Sequence, residues 1–179
     1  MTHYALMMAA PALALMGCAA AEDLRSRRIP NWLTFSLALS GIATSFTAAA
    51  IVGPQWSIAG FAVGFALPLA LFVLGALGGG DVKLLAGVGA WFGPGAAFRV
   101  FLLAAVIGAV MVIAQALAQR RTKVLLRNTA MVAINLAHVN DVGLDHAMAT
   151  GQSCRSVDRP LPYAVPVLVA ILILVATAV

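Results

Sequence analysis

The chain has few charged side chains and few cysteines, and each shortage excludes a class of protein. Lys, Arg, Asp and Glu make up 9% of the 179 residues, whereas an ordinary soluble domain carries about 25%. A water-soluble α/β enzyme is therefore excluded. Cys18 and Cys154 lie too far apart for a CxxC pair, so neither a zinc ribbon nor a disulfide framework is indicated.

The charges that are present are mostly basic, with 11 Lys and Arg against six Asp and Glu and a net charge of +5. Because 63% of the residues are hydrophobic, these basic residues indicate loops that face anionic lipid rather than a nucleic-acid surface. We therefore expect a lipid bilayer as a partner and no nucleic acid.

Long uncharged runs predict an all-α, polytopic membrane protein; they cover residues 1–21, 29–80, 84–98, 100–119 and 160–179. One pass through a hydrocarbon core of about 30 Å needs roughly 20 helical residues, so these runs provide about six transmembrane helices. We predict one transmembrane domain over residues 1–179, with a loop at 120–160 and helices near 3–21, 32–52, 55–77, 82–93, 96–119 and 161–179.

The distribution of basic residues predicts the orientation. Ten of the 11 fall after helices one, three and five, and only Arg99 lies on the opposite side. The positive-inside rule then places both termini on the non-cytoplasmic side and loop 120–160 in the cytoplasm of a multi-pass inner-membrane protein.

The first run also resembles a signal peptide ending at Cys18, but no Lys or Arg precedes it, so we predict a retained helix. An interfacial helix around Met131 and Ile134 is compatible with the loop.

This topology places Asp23, at the end of helix one, and Asp81, at the start of helix four, on the same cytoplasmic face. Two carboxylates a few ångströms apart do not both ionise easily, so one keeps a proton while the other accepts one, which is the equipment needed to activate water. A solvated surface charge beside the following arginines is the alternative for Asp23. The residues alone do not separate Asp23 from its neighbour Glu22.

Gly78, Gly79 and Gly80 precede Asp81 and predict a break in the helix, since successive glycines weaken a helix. Such a break gives a peptide substrate access to the carboxylates, although a simple turn or close helix packing is the alternative. Asp141, Asp145 and His146 lie in the polar loop and are too few for a convincing metal site, so neither metal nor cofactor is expected.

Two segments resemble the signature regions of type IV prepilin peptidases, which are GxGD-type intramembrane aspartyl proteases: residues 23–31 (DLRSRRIPN) and residues 78–83 (GGGDVK). The segment Pro160-Leu161-Pro162-Tyr163 also resembles the family, with Ala164 where Gly is expected. The resemblance implies that Asp23, rather than Glu22, and Asp81 are the catalytic pair.

The chain is similar to the short form of that family, without CxxC motifs or an N-methyltransferase region. The resemblance implies an aspartic-type endopeptidase that removes the leader peptide of Flp-like (tight-adherence) prepilins or pseudopilins at the cytoplasmic membrane boundary, without a cofactor. Two alternatives remain open. A small ion-coupled transporter would use Asp81 in mid-membrane without Asp23, and a non-catalytic membrane assembly subunit would need neither acid.

Overall fold

The computed structural model describes residues 3–47, 50–73, 77–120, 122–137 and 162–177. All regular secondary structure in these ranges is helical, which confirms the predicted all-α class. The helices are α1 (His3–Ser26), α2 (Asn31–Thr44), α3 (Pro54–Val73), α4 (Gly79–Phe92), α5 (Pro94–Ala118), α6 (Thr122–Ala137) and α7 (Ala164–Thr177).

In the described part of the chain, three helices are long and apolar enough to cross a membrane: α1 over Met7–Ser26, α3 and α5. Helices α2, α4 and α7 have 14 residues each, or about 21 Å, which is shorter than a typical hydrocarbon core. Large apolar side chains are exposed along the outside of the bundle, as expected where lipid replaces water; they include Trp32, Phe35, Leu39, Trp56, Phe98, Leu102 and Val106.

Helix α4 lies at the centre of the bundle and is buried from Leu84 to Trp91. It packs against α3 through glycines: a Cβ atom added to Gly60 or Gly89 would collide with the backbone of the other residue. The Ser57 hydroxyl donates a hydrogen bond of 2.7 Å to the Ala90 carbonyl at the same contact. Small residues thus bring the two helix backbones together, as in other membrane helix pairs.

The opposite side of α4 is attached to α2. The indole N–H of Trp91 donates to the Leu37 carbonyl at 2.9 Å, which satisfies the polar atom of a buried aromatic side chain. The Leu37 side chain also fits against Gly87, where an added Cβ would lie 2.8 Å from it. Helix α4 is therefore held from two sides, and this fixes the position of its first turn.

Two predicted helix ends differ from the structure. Helix α1 continues past residue 21 to Ser26 and stops where Arg27 adopts a left-handed conformation (φ 56°); the Arg27 N–H then donates to the Asp23 carbonyl, a common helix C-cap. Helix α2 ends at Thr44 rather than near 52. Hydroxyls of Thr44 and Ser45 bind carbonyls of the last turns and compete with helix continuation.

Further differences concern α7, which begins at Ala164 rather than near residue 161, α4, and the region predicted as a loop. Helix α4 begins at Gly79 rather than near residue 82, so the break lies before the last two glycines. Helix α6 occupies Thr122–Ala137, within the predicted loop 120–160, with the apolar side chains of Met131 and Ile134 exposed. The candidate metal residues Asp141, Asp145 and His146 lie outside the described residues.

Candidate active site

Asp23 lies in the last turn of α1 and is only 6% exposed. Its Oδ2 accepts a hydrogen bond of 3.0 Å from the backbone N–H of Ala164, the first residue of α7. The first N–H groups of a helix have no partner within the helix and carry partial positive charge. Asp23 therefore satisfies one of these donors and joins the C-terminal end of α1 to the N-terminal end of α7.

Asp81 lies in the first turn of α4, where its Oδ2 accepts a hydrogen bond of 3.0 Å from the Gly78 N–H. An acidic residue at this position reaches back to the residue before the helix and is favoured by the helix dipole. This contact explains how α4 begins at Gly79 although two glycines occupy its first turn.

Asp23 and Asp81 lie close enough to interact electrostatically. Asp81 precedes the buried part of α4 and is outside the three helices that are long enough to cross a membrane. Burial raises the pKa of Asp81 to about 7; the Gly78 hydrogen bond opposes this shift, and the charge of Asp23 adds to it. The structure thus brings together the two acids that the sequence analysis selected, from α1 and α4.

The two carboxylates are held in the same way. Each uses Oδ2 to accept a backbone N–H at the start of a helix, from Ala164 for Asp23 and from Gly78 for Asp81. Within the described ranges, neither Oδ1 atom accepts a hydrogen bond. One oxygen of each acid therefore orients the side chain, and the other is available to a proton or a water molecule.

The three glycines of the predicted access loop lie beside Asp81, as the start of α4 rather than as a separate loop. A Cβ added to Gly78 would lie 3.1 Å from Asp81 Oδ2, and one added to Gly80 would lie 3.3 Å from the Ile29 side chain. Gly78 is exposed and extended (φ −84°, ψ 152°). The absence of a side chain at Gly78 keeps the approach to Asp81 open.

Charged and polar residues flank Asp23 and Asp81 in the sequence. Lys83 donates a hydrogen bond of 2.9 Å to the side chain of Asn31 and lies 5.7 Å from the ring centre of Phe35, which joins the first turns of α4 and α2. Arg27 interacts electrostatically with Asp23. Glu22 is half-buried, and its side chain forms no hydrogen bond with α4 or α7 in the described part of the chain.

Tyr163 is a residue of the site that the sequence analysis did not select. It immediately precedes α7, and its hydroxyl oxygen is buried without a hydrogen-bond partner among the described residues. Burial raises the pKa of Tyr163 to about 12, and the nearby charge of Asp81 adds to the shift. The sequence signal for Tyr163 is the resemblance of the segment Pro160–Tyr163 to the family. That resemblance does not indicate that Tyr163 lies near Asp23 or Asp81.

The chain is similar to one known family of proteins. Residues 11–113 match the sequence model of the type IV leader peptidase family. The preflagellin peptidase of Methanococcus voltae is 37% identical to the chain over 100 residues, which are 52% of this chain and 42% of that protein. The match therefore spans about two fifths of the relative's length. No solved structure matches the chain.

Proposed function

The chain belongs to the type IV leader peptidase family, and on this basis we propose that it is a membrane aspartyl endopeptidase with Asp23 and Asp81 as its catalytic pair. The observation that carries the proposal is the meeting of these two acids, one from the end of α1 and the other from the start of α4, with the charge of Asp23 acting on Asp81. The proposed substrate is a prepilin or pseudopilin of the Flp type, from which the leader peptide is removed.

The proposed chemistry follows from the different environments of the two acids. With a pKa near 7, Asp81 holds a proton in a large fraction of molecules at neutral pH. The Ala164 N–H is placed to support negative charge on Asp23. Asp23 then accepts a proton from the attacking water while Asp81 donates its proton to the scissile carbonyl oxygen. When the intermediate collapses, the leaving amine receives a proton and the pair returns to its singly protonated state.

We place this reaction at the cytoplasmic boundary of the inner membrane. Arg25, Arg27 and Arg28 follow Asp23 directly and are exposed, and such clusters mark the cytoplasmic side. The proposed topology of about six passes, with both termini outside, is consistent with this side assignment. A leader peptide that emerges from the membrane would meet the pair next to the exposed Gly78.

The test is cleavage of the leader from a co-expressed prepilin, detected as a change in the gel mobility of the prepilin. We expect Asp23→Asn and Asp81→Asn each to abolish cleavage at an unchanged level of the membrane protein. Glu22→Gln is the matched control, because it removes the carboxylate next to Asp23 in the sequence, which makes no hydrogen bond to α4 or α7 in the described part of the chain, and it should retain cleavage. Normal processing by either aspartate variant would refute the proposal.

The same variants separate the two alternatives. An ion-coupled transporter requires Asp81 but not Asp23, and a non-catalytic assembly subunit tolerates both substitutions. The effect of the Asp23 charge on Asp81 supports the peptidase, because neither alternative needs two acids at one boundary.

A further inference from the structure

The Tyr163 hydroxyl is one of two buried side-chain polar atoms that lack a hydrogen-bond partner in the described part of the chain; the other is Gln115 Oε1. A buried hydroxyl that makes no hydrogen bond lowers the stability of the folded protein, and such groups are rare in native structures. Phe would fill the same space without this penalty. The hydroxyl therefore does not serve stability, and we expect a functional role.

Its location indicates what that role is. The next residue, Ala164, binds Asp23 through its N–H, and the charge of Asp81 acts on the Tyr163 hydroxyl. The ring lies against α5, where a Cβ added to Gly108 would lie 3.7 Å from Tyr163 Cε2. The hydroxyl thus feels the charge of Asp81, belongs to the residue next to the one that binds Asp23, and is hydrogen-bonded to neither acid.

The protonation state limits the possible chemistry. Burial and, to a smaller extent, the charge of Asp81 raise the pKa of Tyr163 to about 12. The hydroxyl therefore keeps its proton throughout the physiological range and acts neither as a base nor as a nucleophile. A protonated hydroxyl near Asp81, where water attacks the peptide bond in the proposed reaction, is available to donate a hydrogen bond to an oxygen of the substrate.

We propose that the Tyr163 hydroxyl donates a hydrogen bond to the scissile carbonyl oxygen of a peptide bound at the Asp23–Asp81 pair, and that this bond stabilises the tetrahedral intermediate. This inference rests on the proposed peptidase function. Water adds to the carbonyl carbon and the electron pair of the C=O bond moves to the oxygen. Tyr163 donates a hydrogen bond to this oxygen while negative charge develops on it and Asp81 transfers its proton to it. Its own O–H bond is not broken, and the proton transfers stay with the aspartates.

Tyr163→Phe tests the proposal because it removes only the hydroxyl. Loss of one such donor commonly lowers kcat by about 100-fold or more, and we expect a fall of about 10- to 100-fold with KM changed less than about threefold, since the bond strengthens in the intermediate. The assay is cleavage of a purified prepilin with its leader, by enzyme reconstituted in liposomes. The unfolding midpoint should stay equal or rise, because an unsatisfied polar group has been removed.

The chain offers a matched control in its second tyrosine, Tyr4, which lies in the first turn of α1. It is 19 residues before Asp23 on the same helix, or roughly 28 Å away. Tyr4→Phe should leave kcat, KM and the midpoint unchanged. An unchanged kcat in Tyr163→Phe overturns the proposal, and so does a loss of rate that is fully accounted for by a lower fraction of folded protein.

The aspartate variants keep this test separate from the test of the proposed function. If Asp81→Asn still cleaves the prepilin, the peptidase assignment itself is wrong. If Asp81→Asn is inactive while Tyr163→Phe cleaves at the wild-type rate, the peptidase stands and only the role of Tyr163 is refuted.

Discussion

Replacing Asp81 by Asn should stabilise the folded protein while it destroys the proposed activity. The pKa of Asp81 is raised from 3.8 to about 7, chiefly by burial. Each pKa unit corresponds to about 1.4 kcal/mol, so the ionised carboxylate lowers the free energy of unfolding by at most about 4 kcal/mol. Asn has nearly the same shape, carries no charge next to Asp23, and its carbonyl oxygen can still accept the Gly78 N–H.

The sign of the effect depends on pH. Below the unfolded-state pKa, both states of the wild type hold the proton, and the raised pKa has no stability cost. As the pH rises from about 4 to about 7, the unfolded chain releases the proton before the folded protein does, so wild-type stability falls. Above about pH 7 the wild type has lost the full amount of stability that the raised pKa implies, whereas Asp81→Asn has lost none of it. The variant and the wild type should therefore unfold alike near pH 4 and diverge towards pH 8.

The assay is thermal unfolding in detergent at several pH values, followed by tryptophan fluorescence. Trp91 is a suitable reporter because it is buried on the same helix as Asp81. Glu22→Gln removes a neighbouring charge and serves as the control. A midpoint for Asp81→Asn that lies below that of the wild type at about pH 8, or a difference that does not change with pH, would contradict the assigned burial of Asp81.

Two further substitutions test how α4 is held. Gly89→Ala places a Cβ atom against the Gly60 carbonyl and should lower the free energy of unfolding by about 1–3 kcal/mol. Gly17→Ala is the control, because an added Cβ there meets nothing within 4 Å, and it should be neutral or stabilising. Equal melting temperatures of the two variants would be evidence against the close α3–α4 contact. Lys83→Met removes the hydrogen bond to Asn31 and the contact with Phe35, and should lower the free energy of unfolding by about 1 kcal/mol. A double-mutant cycle with Asn31→Ala should show a coupling of about 0.5 kcal/mol or more. Strict additivity of the two substitutions would show that the pair is not formed.

The placement of Asp23 and Asp81 on the same face was predictable, because that prediction depends only on the number of membrane crossings expected between the two residues. Uncharged runs and the side on which basic residues lie fix which helix ends share a face, and neither depends on the details of packing. The helix ends were less predictable. Residues 45–52 are apolar enough to continue α2, yet the helix ends at Thr44. The hydroxyls of Thr44 and Ser45 bind carbonyls there, and hydropathy does not include such local hydrogen bonds.

The contribution of α7 to the site was not predictable from local pattern. Ala164 and Tyr163 lie about 140 positions from Asp23, and neither residue type indicates function by itself. Their nearness to the two acids follows from the packing of α1 against α7, which the segment Pro160–Tyr163 does not show by itself. The same limit applies to Gly60 and Gly89, which are 29 positions apart and become partners only when α3 and α4 pack.

The packing of α4 also explains how the site keeps a carboxyl group in an unfavourable position. Glycines at 60 and 89 allow α3 to approach the backbone of α4, and Trp91 fixes its other side to α2. The apolar burial of Leu84 to Trp91 then stabilises the helix strongly enough to hold Asp81 where burial raises its pKa. Because that burial is what retains the proton, weakening the α3–α4 contact should lower the pKa of Asp81 towards its ordinary value and slow cleavage at neutral pH even where the protein still folds.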